Sequence, residues 1–188
     1  MQFTFQGETQ TCLSARLGLS LETESWDGKD WVYGQELQVM VSLEVMVDED
    51  SGEDGAAATD AHWVMKPVPV DFFHSEWTDS APEFEAYFGN DAPELENNRI
   101  RLQGRDPSGR VLVDWEATCG GLPMKFQGAV DFSGLTMRVH DPADAPKFLA
   151  KIAPAWAQLK PLEEEVVDFG MAMPENRRVW HSLSFALS

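Results

Sequence analysis

The sequence predicts a mainly β fold of the α+β class: a large twisted antiparallel sheet of about 8–10 strands, curled or two-layered, with one amphipathic helix near the C-terminus packed on it. Long stretches of the chain alternate apolar and polar residues with period two, which is the pattern of half-buried strands. Short turn sequences separate these stretches, and short links favour antiparallel pairing. A single apolar stripe at helical spacing, within residues 148–159, predicts the helix.

The first two predicted strands form the clearest hairpin. Residues 11–25 alternate leucine and alanine with serine, arginine and glutamate, and residues 37–47 place leucine or valine at every second position. Between them, Asp27-Gly28 is a dipeptide that favours a tight turn.

Residues 48–98 interrupt the regular alternation. The segment 48–60 holds six acidic residues, two glycines and no large apolar residue, which predicts an acidic mobile loop. Residues 61–98 are acidic and aromatic-rich, and Pro67 and Pro69 restrict their strand-like part to an edge strand or an extended arm. We therefore expect 61–98 to be an irregular segment.

Alternation returns from residue 99. Two hairpins are predicted, one with strands at 99–104 and 110–119 around the turn 106–109, and one with strands at 124–132 and 135–140 around a turn at Ser133-Gly134. The helix is then expected to begin at Asp141, an N-cap residue followed by proline, and Pro154 is expected to kink or split it. Two final strands are expected near 164–173 and 178–187.

Length and cysteine usage predict the class of protein. The 188 residues suit a single domain, 1–188. The first residues, "MQFTFQGETQ", lack the cationic start and apolar run of a signal peptide, and no stretch approaches the length of a membrane span. Two cysteines do not make a disulfide framework. We expect a cytoplasmic protein.

The charge is strongly negative and unevenly distributed. The formal net charge is −18, and residues 44–98 hold 15 acidic residues and a single basic one, Lys66. Such a charge argues against binding nucleic acid or an anionic membrane, because their phosphates would be repelled. It favours attraction of a basic partner.

Aromatic residues are interleaved with this charge, and together they predict an interaction surface for a basic protein, as in immunity or inhibitor proteins by analogy of charge alone. The candidate binding residues are Trp63, Asp71, Phe73, His74, Glu76, Trp77 and Tyr87. Three alternatives stay open: the aromatics pack inward while the acids keep the protein soluble, the acids reflect adaptation to salt, or the acidic segment is an insertion on a structural subunit. The runner-up function is a small-molecule-binding β protein or an enzyme, with its site in the concave face of the sheet.

No catalytic residue, metal ligand or cofactor is predicted. Cys119 shares the parity of the apolar positions of its strand, so we interpret it as a core residue rather than a nucleophile. Asp114 and Glu116 stand roughly 6.6 Å apart along a strand, a spacing that overlaps that of paired carboxylates in glycosidases. Because any Asp-x-Glu in a strand has this spacing, we interpret the pair as a solvated outer face.

The histidines give no strong metal signal. Asp71, His74 and Glu76 are the nearest approach to a ligand cluster, but they lie in a proline-broken segment without a defined ligand spacing. His140 is expected at the junction of a strand and the helix, and His181 as a satisfied core histidine.

Overall fold

The predicted mainly β class is confirmed. A computed structural model of the chain describes residues 1–5, 7–26, 29–48, 56–88, 94–168 and 179–187. Strands account for 66% of the structure and helices for 12%, and the sheet is a large antiparallel one. None of the helices in these ranges has the length and apolarity that a membrane span requires.

The described residues form eleven strands, one α-helix and three short 3₁₀ helices. The strands are β1 (Gln2–Phe5), β2 (Glu8–Trp26), β3 (Trp31–Asp48), β4 (Ala56–Met65), β5 (Glu76–Thr78), β6 (Glu85–Phe88), β7 (Leu95–Arg105), β8 (Val111–Cys119), β9 (Leu122–Val139), β10 (Glu163–Asp168) and β11 (Val179–Phe185). The helix α1 spans Ala145–Ile152, and the 3₁₀ helices span Phe72–His74, Pro142–Asp144 and Pro154–Gln158.

The chain folds into two compact units. Unit 1 comprises Met1–Gly18 and Val41–Ser133, and unit 2 comprises Leu19–Met40 and Gly134–Ser188. The long strands β2, β3 and β9 contribute residues to both units. The expectation of a single domain over 1–188 stays a prediction.

Unit 1 is built on the strand order β5-β7-β8-β9-β1-β2-β3-β4-β6. Its buried side chains come from alternate positions of these strands, as the period-two pattern predicted. The largest of them include Phe3, Trp63, Trp115 and Phe126, each fully buried.

Strand β1 was not predicted, and it determines the order of its neighbouring strands in the sheet. It pairs antiparallel with both β2 and β9, so β2 and β9 run in the same direction. These two strands also contact each other directly, and the hydroxyl of Ser133 donates to the carbonyl of Leu17. Phe3 and Phe5 alternate with polar residues, which is a weak strand signal because the strand is only four residues long.

Unit 2 contains the C-terminal hairpin and the helix. Strands β10 and β11 pair antiparallel, and β11 pairs with β9 on its other side, which agrees with the two final strands that were predicted. The segment 169–178, which would link them, lies outside the described residues. Strand β9 in turn contacts β2, where the hydroxyl of Thr136 donates to the carbonyl of Leu19 and that of Thr23 to the carbonyl of Arg138.

The helix forms where the proline and capping pattern predicted it. The side chain of Asp141 accepts a hydrogen bond from the backbone of Ala143, opening a 3₁₀ turn that leads into α1. Helix α1 ends at Ile152, and a separate 3₁₀ helix begins at Pro154, so the expected split is confirmed. The helix packs on β3 through the ring of Phe148, which lies 5.3 Å from that of Tyr33.

The expected turn at Ser133-Gly134 was wrong. Strand β9 runs without a break from Leu122 to Val139. Gly134 has φ +85°, and a Cβ atom there would lie 2.6 Å from the carbonyl oxygen of Phe185. This glycine is required by the close approach of β11, not by a change in chain direction.

The acidic and aromatic segment is more regular than expected. Strand β4 begins at Ala56, so residues 56–60, expected in the mobile loop, extend into a strand; residues 49–55 lie outside the described residues. Within 61–98 the structure contains the rest of β4, strands β5 and β6 and the start of β7. Strand β4 ends before Pro67 and lies between β3 and β6, so it is not an edge strand.

The turn expected at Asp27-Gly28 also falls on residues outside the description.

Candidate functional site

The predicted binding residues all lie in unit 1, but they do not form one surface. Trp63 is fully buried, with its ring 5.9 Å from those of Trp77 and Phe84. Trp77 is half-buried, and its indole N–H donates to the hydroxyl of Ser75. Trp63 packs inward, which is one of the alternatives that the sequence left open, whereas Trp77 is covered only in part.

Phe73 belongs to a second cluster. The guanidinium of Arg105 lies 3.9 Å from the centre of its ring and 5.4 Å from that of Phe132. This is the geometry of a cation–π contact, which holds the 3₁₀ helix at Phe72–His74 against the sheet. Phe73 therefore has a structural role within unit 1.

Asp71, His74 and Glu76 do not converge on one point. The imidazole Nδ1 of His74 lies 2.9 Å from the carboxylate of Asp71, whereas the carboxylate of Glu76 accepts a hydrogen bond of 2.9 Å from Arg99. Within the described residues, no group of three or more histidines, cysteines and carboxylates is placed to hold a metal ion.

Tyr87 lies in a group that the structure does bring together. Its register partner on β4 is Asp60, that of Glu85 is His62, and Tyr87 forms an isolated bridge with Glu94. Residues directly opposite each other in a sheet share a face, so all five lie on one face, which we call the Tyr87 patch. The opposite face of the same strands carries Ala61, Trp63 and Ala86, all buried.

The electrostatics of the Tyr87 patch follow from this crowding. The Tyr87 hydroxyl donates to Glu85 at 3.4 Å, and the pKa of Tyr87 is raised above 10.0, chiefly by the charge of Glu85, then by desolvation and the hydrogen bond to Glu85, and least by the charges of Glu94 and Asp60. Nearby carboxylates and desolvation both disfavour the phenolate, so both raise the pKa of the tyrosine.

Asp114 and Glu116 are not a solvated pair, which corrects the interpretation of their strand. Asp114 is 5% exposed, lies 2.7 Å from Arg101 and 3.3 Å from the amine of Lys125. Glu116 lies 3.1 Å from the same lysine, which lowers its pKa through a hydrogen bond to the carboxylate. Arg101 and Lys125 therefore pair with both carboxylates across three strands.

Cys119 is a core residue, as predicted. It is 7% exposed at the end of β8, and burial raises the pKa of its thiol. Cys12 is equally buried, and both cysteines are unpaired. Neither has the lowered pKa that a reactive thiol needs.

Unit 2 contains a groove that the sequence did not predict, which we call the Trp180 groove. It encloses about 570 Å³ on the polar face of β2, β9 and β11. Its lining includes the polar and aromatic residues Ser20, Glu22, Thr23, Glu24, Thr136, Arg138, Trp180 and Ser182. Strands β2 and β9 alternate groove residues with buried ones, so part of the local signal was visible in the sequence, but the convergence of the three strands was not.

An aromatic stack supports the edge of the Trp180 groove. The ring of His140 lies 4.0 Å from that of Trp180 and 4.5 Å from that of Tyr33. The imidazole Nε2 of His140 lies 3.5 Å from the carboxylate of Glu24. His140 does lie at the strand–helix junction, as expected, and the register with β11 brings Trp180 to it.

His181, on the other face of β11, is satisfied within the protein. Its imidazole Nδ1 lies 2.8 Å from the carboxylate of Glu164, on the paired strand β10. The ion pair with Glu164 explains why a histidine occupies one of the alternate positions of β11 that are otherwise mainly apolar.

Two candidate surfaces therefore remain. The Tyr87 patch contains one of the seven predicted binding residues, and the Trp180 groove contains none of them. No protein-family model, no curated protein and no solved structure matches this chain.

Proposed function

We propose that the protein is a non-catalytic binding module that holds a basic protein partner on the Tyr87 patch. The observation that carries this proposal is the convergence of Asp60, Glu85 and Glu94 around Tyr87, whose pKa they raise. A lysine or arginine side chain that enters such a patch meets both negative charge and an aromatic ring.

The distribution of charge within unit 1 supports this proposal. The residue ranges of unit 1 hold 20 acidic and 7 basic residues. Four of the basic residues form ion pairs away from the patch, namely Arg99, Arg101, Arg110 and Lys125. These four basic residues therefore do not neutralise the carboxylates of the Tyr87 patch.

The glutamates of the patch are also accessible. Glu85 and Glu94 are exposed, and in the part of the chain that the structure describes neither forms an ion pair with lysine or arginine. Exposed charges of this kind change the association rate and the salt dependence of a complex more than its affinity. Trp63 does not belong to the proposed surface because it is fully buried, and the half-buried Trp77 lies on β5, outside the Tyr87 patch.

The cytoplasm is the compartment that we propose for this binding. Two unpaired buried cysteines fit a reducing environment, where thiols persist. A cytoplasmic partner that carries a basic segment would be attracted over a distance of about one Debye length, ~8 Å at physiological salt.

The test is capture of a partner from a native lysate by three immobilised forms of the protein. The forms are the wild type, a Glu85→Gln/Glu94→Gln variant and a Glu8→Gln/Glu44→Gln control with the same change of charge in unit 1. We expect one basic protein to be retained by the wild type and the control and released at moderate salt, and the patch variant to release it at lower salt. Equal retention by all three forms, or retention that salt does not weaken, would contradict the proposal.

A further inference from the structure

The Trp180 groove has the size and chemistry of a small-molecule site. Its volume of about 570 Å³ lies within the range of roughly 300–1,000 Å³ that ligand pockets occupy. It lies on regular strands, which hold side chains more precisely than loops do. It belongs to unit 2, so it is independent of the Tyr87 patch and of the function proposed for it.

Donors and acceptors alternate around the groove. Glu22 and Glu24 present carboxylates that only accept hydrogen bonds, and Arg138 presents a guanidinium that only donates. The hydroxyls of Ser20, Thr136 and Ser182 do both, and that of Ser20 already donates to Glu22 at 3.0 Å. A carboxylate has about four acceptor sites and a guanidinium five N–H groups, so these side chains can bind a ligand in addition to their partners in the protein.

The indole of Trp180 supplies an apolar surface whose position is fixed. His140 stacks on it, and His140 is in turn held by Glu24 and by Tyr33, whose hydroxyl donates to Asp144 at 3.2 Å. An aromatic ring fixed in this way loses little side-chain entropy when a ligand binds to it.

The charges of the groove select among classes of ligand. Two carboxylates face one guanidinium, in a protein of net charge −18, so a phosphate or another anion is repelled. A compact cation would meet Arg138, and an apolar ligand would desolvate charged groups without pairing them. A neutral molecule with an apolar face and many hydroxyls avoids all three penalties.

We propose that the Trp180 groove binds a saccharide. One face of the sugar ring, which carries C–H groups, lies on the indole of Trp180. The ring hydroxyls donate to Glu22 and Glu24 and accept from Arg138. A site built on such hydrogen bonds rejects analogues that lack the hydroxyls, because its polar groups would then stay unpaired.

The test is titration of the full chain with maltose, cellobiose, lactose and N,N′-diacetylchitobiose, followed by calorimetry and by tryptophan fluorescence. Spermidine and inorganic phosphate are the cationic and anionic comparison probes. We expect saturable binding of at least one disaccharide and none of the two ions. No saturable binding of any of the four sugars, or displacement of a bound sugar by spermidine or phosphate, would overturn the proposal.

Variants locate the binding. Glu22 is exposed, so Glu22→Gln preserves the fold and is expected to weaken sugar binding by about tenfold or more. Trp180→Ala is expected to abolish the fluorescence change, and Trp180→Phe to retain part of the affinity. Glu36→Gln, at an exposed position outside the groove in the same unit, is the matched control. Unchanged affinity in Glu22→Gln would overturn the assignment, whereas Glu85→Gln/Glu94→Gln tests only the Tyr87 patch.

Discussion

The carboxylate of Asp114 accepts a hydrogen bond of 2.7 Å from the guanidinium of Arg101, directly opposite it on the neighbouring strand. Asp114 is buried while Arg101 is partly exposed, and Lys125 approaches the same carboxylate from the third strand. Removing one partner of such a buried ion pair costs more than breaking an exposed pair, because the remaining charges lose a desolvated partner. This pairing turns a motif that resembles a catalytic pair into a structural one.

We predict that Asp114→Ala destabilises the protein by about 2 kcal/mol, because Arg101 and Lys125 lose a buried carboxylate and Arg101 keeps only its longer contact of 3.4 Å to Glu116. The exposed pair Glu76–Arg99 is the control, and Glu76→Ala is expected to cost at most about 1 kcal/mol. Urea denaturation of the two variants measures the difference. Equal losses would show that Asp114 contributes no more than a surface charge.

Gly134 and Gly109 provide a matched pair for backbone strain. Both have positive φ, +85° and +88°, but a Cβ atom at Gly109 meets nothing within 4 Å whereas one at Gly134 meets the carbonyl of Phe185. We expect Gly109→Ala to cost about 1–2 kcal/mol from the backbone alone and Gly134→Ala at least about 3 kcal/mol. Thermal unfolding of both variants shows which of them loses more stability. A smaller loss of stability in Gly134→Ala than in Gly109→Ala would contradict this account of β9.

Cys119 is predicted to react with a thiol reagent only when the protein unfolds. Because burial raises its pKa above 9.0, folding disfavours the thiolate, and the thiolate is the reactive form. The raised pKa of Cys119 contributes fully to the free energy of unfolding below pH 9.0. This contribution is lost as the pH rises through the pKa of Cys119 in the folded state, because the unfolded chain then binds fewer protons. The rate of labelling is measured in native buffer and in urea, in a Cys12→Ala background so that the signal comes from Cys119 alone. Rapid labelling in native buffer would contradict the burial of Cys119.

Tyr87 offers a direct reading of the Tyr87 patch. The chain has two tyrosines, so the phenol of Tyr87 can be titrated by absorbance in a Tyr33→Phe background. Glu85→Gln is expected to lower its pKa towards 10.0, because the Glu85 charge is the largest cause of the increase. Glu8→Gln should leave the titration unchanged. A pKa that does not respond to Glu85→Gln would show that the carboxylates do not act on Tyr87.

Local patterns predicted those features that neighbouring residues decide. The alternation of 37–47 identified most of β3, and the same argument placed Cys119 in the core. The capping and proline pattern from Asp141 to Pro154 identified the helix and its split. In each case a periodic pattern or a cap acts within a few residues of the chain, so the sequence contains the whole signal.

The candidate sites were predicted less well, because aromatic and acidic composition does not say which side chains face solvent. Trp63 and Tyr87 occupy similar surroundings in the sequence, yet strand parity buries one and places the other among carboxylates. The seven predicted residues therefore separated into an aromatic cluster, three structural contacts and one patch.

By itself, the sequence determined the mainly β class, the helix and the confinement of acidity to one segment. Only the tertiary structure decided that β1 lies between β2 and β9, that Arg101 pairs with Asp114, and that His140 contacts Glu24 and Trp180. The groove unites strands far apart in the chain: the bond from Thr136 to Leu19 alone spans 117 positions. Strand register sets such contacts, and register depends on the packing of the whole sheet rather than on any local pattern.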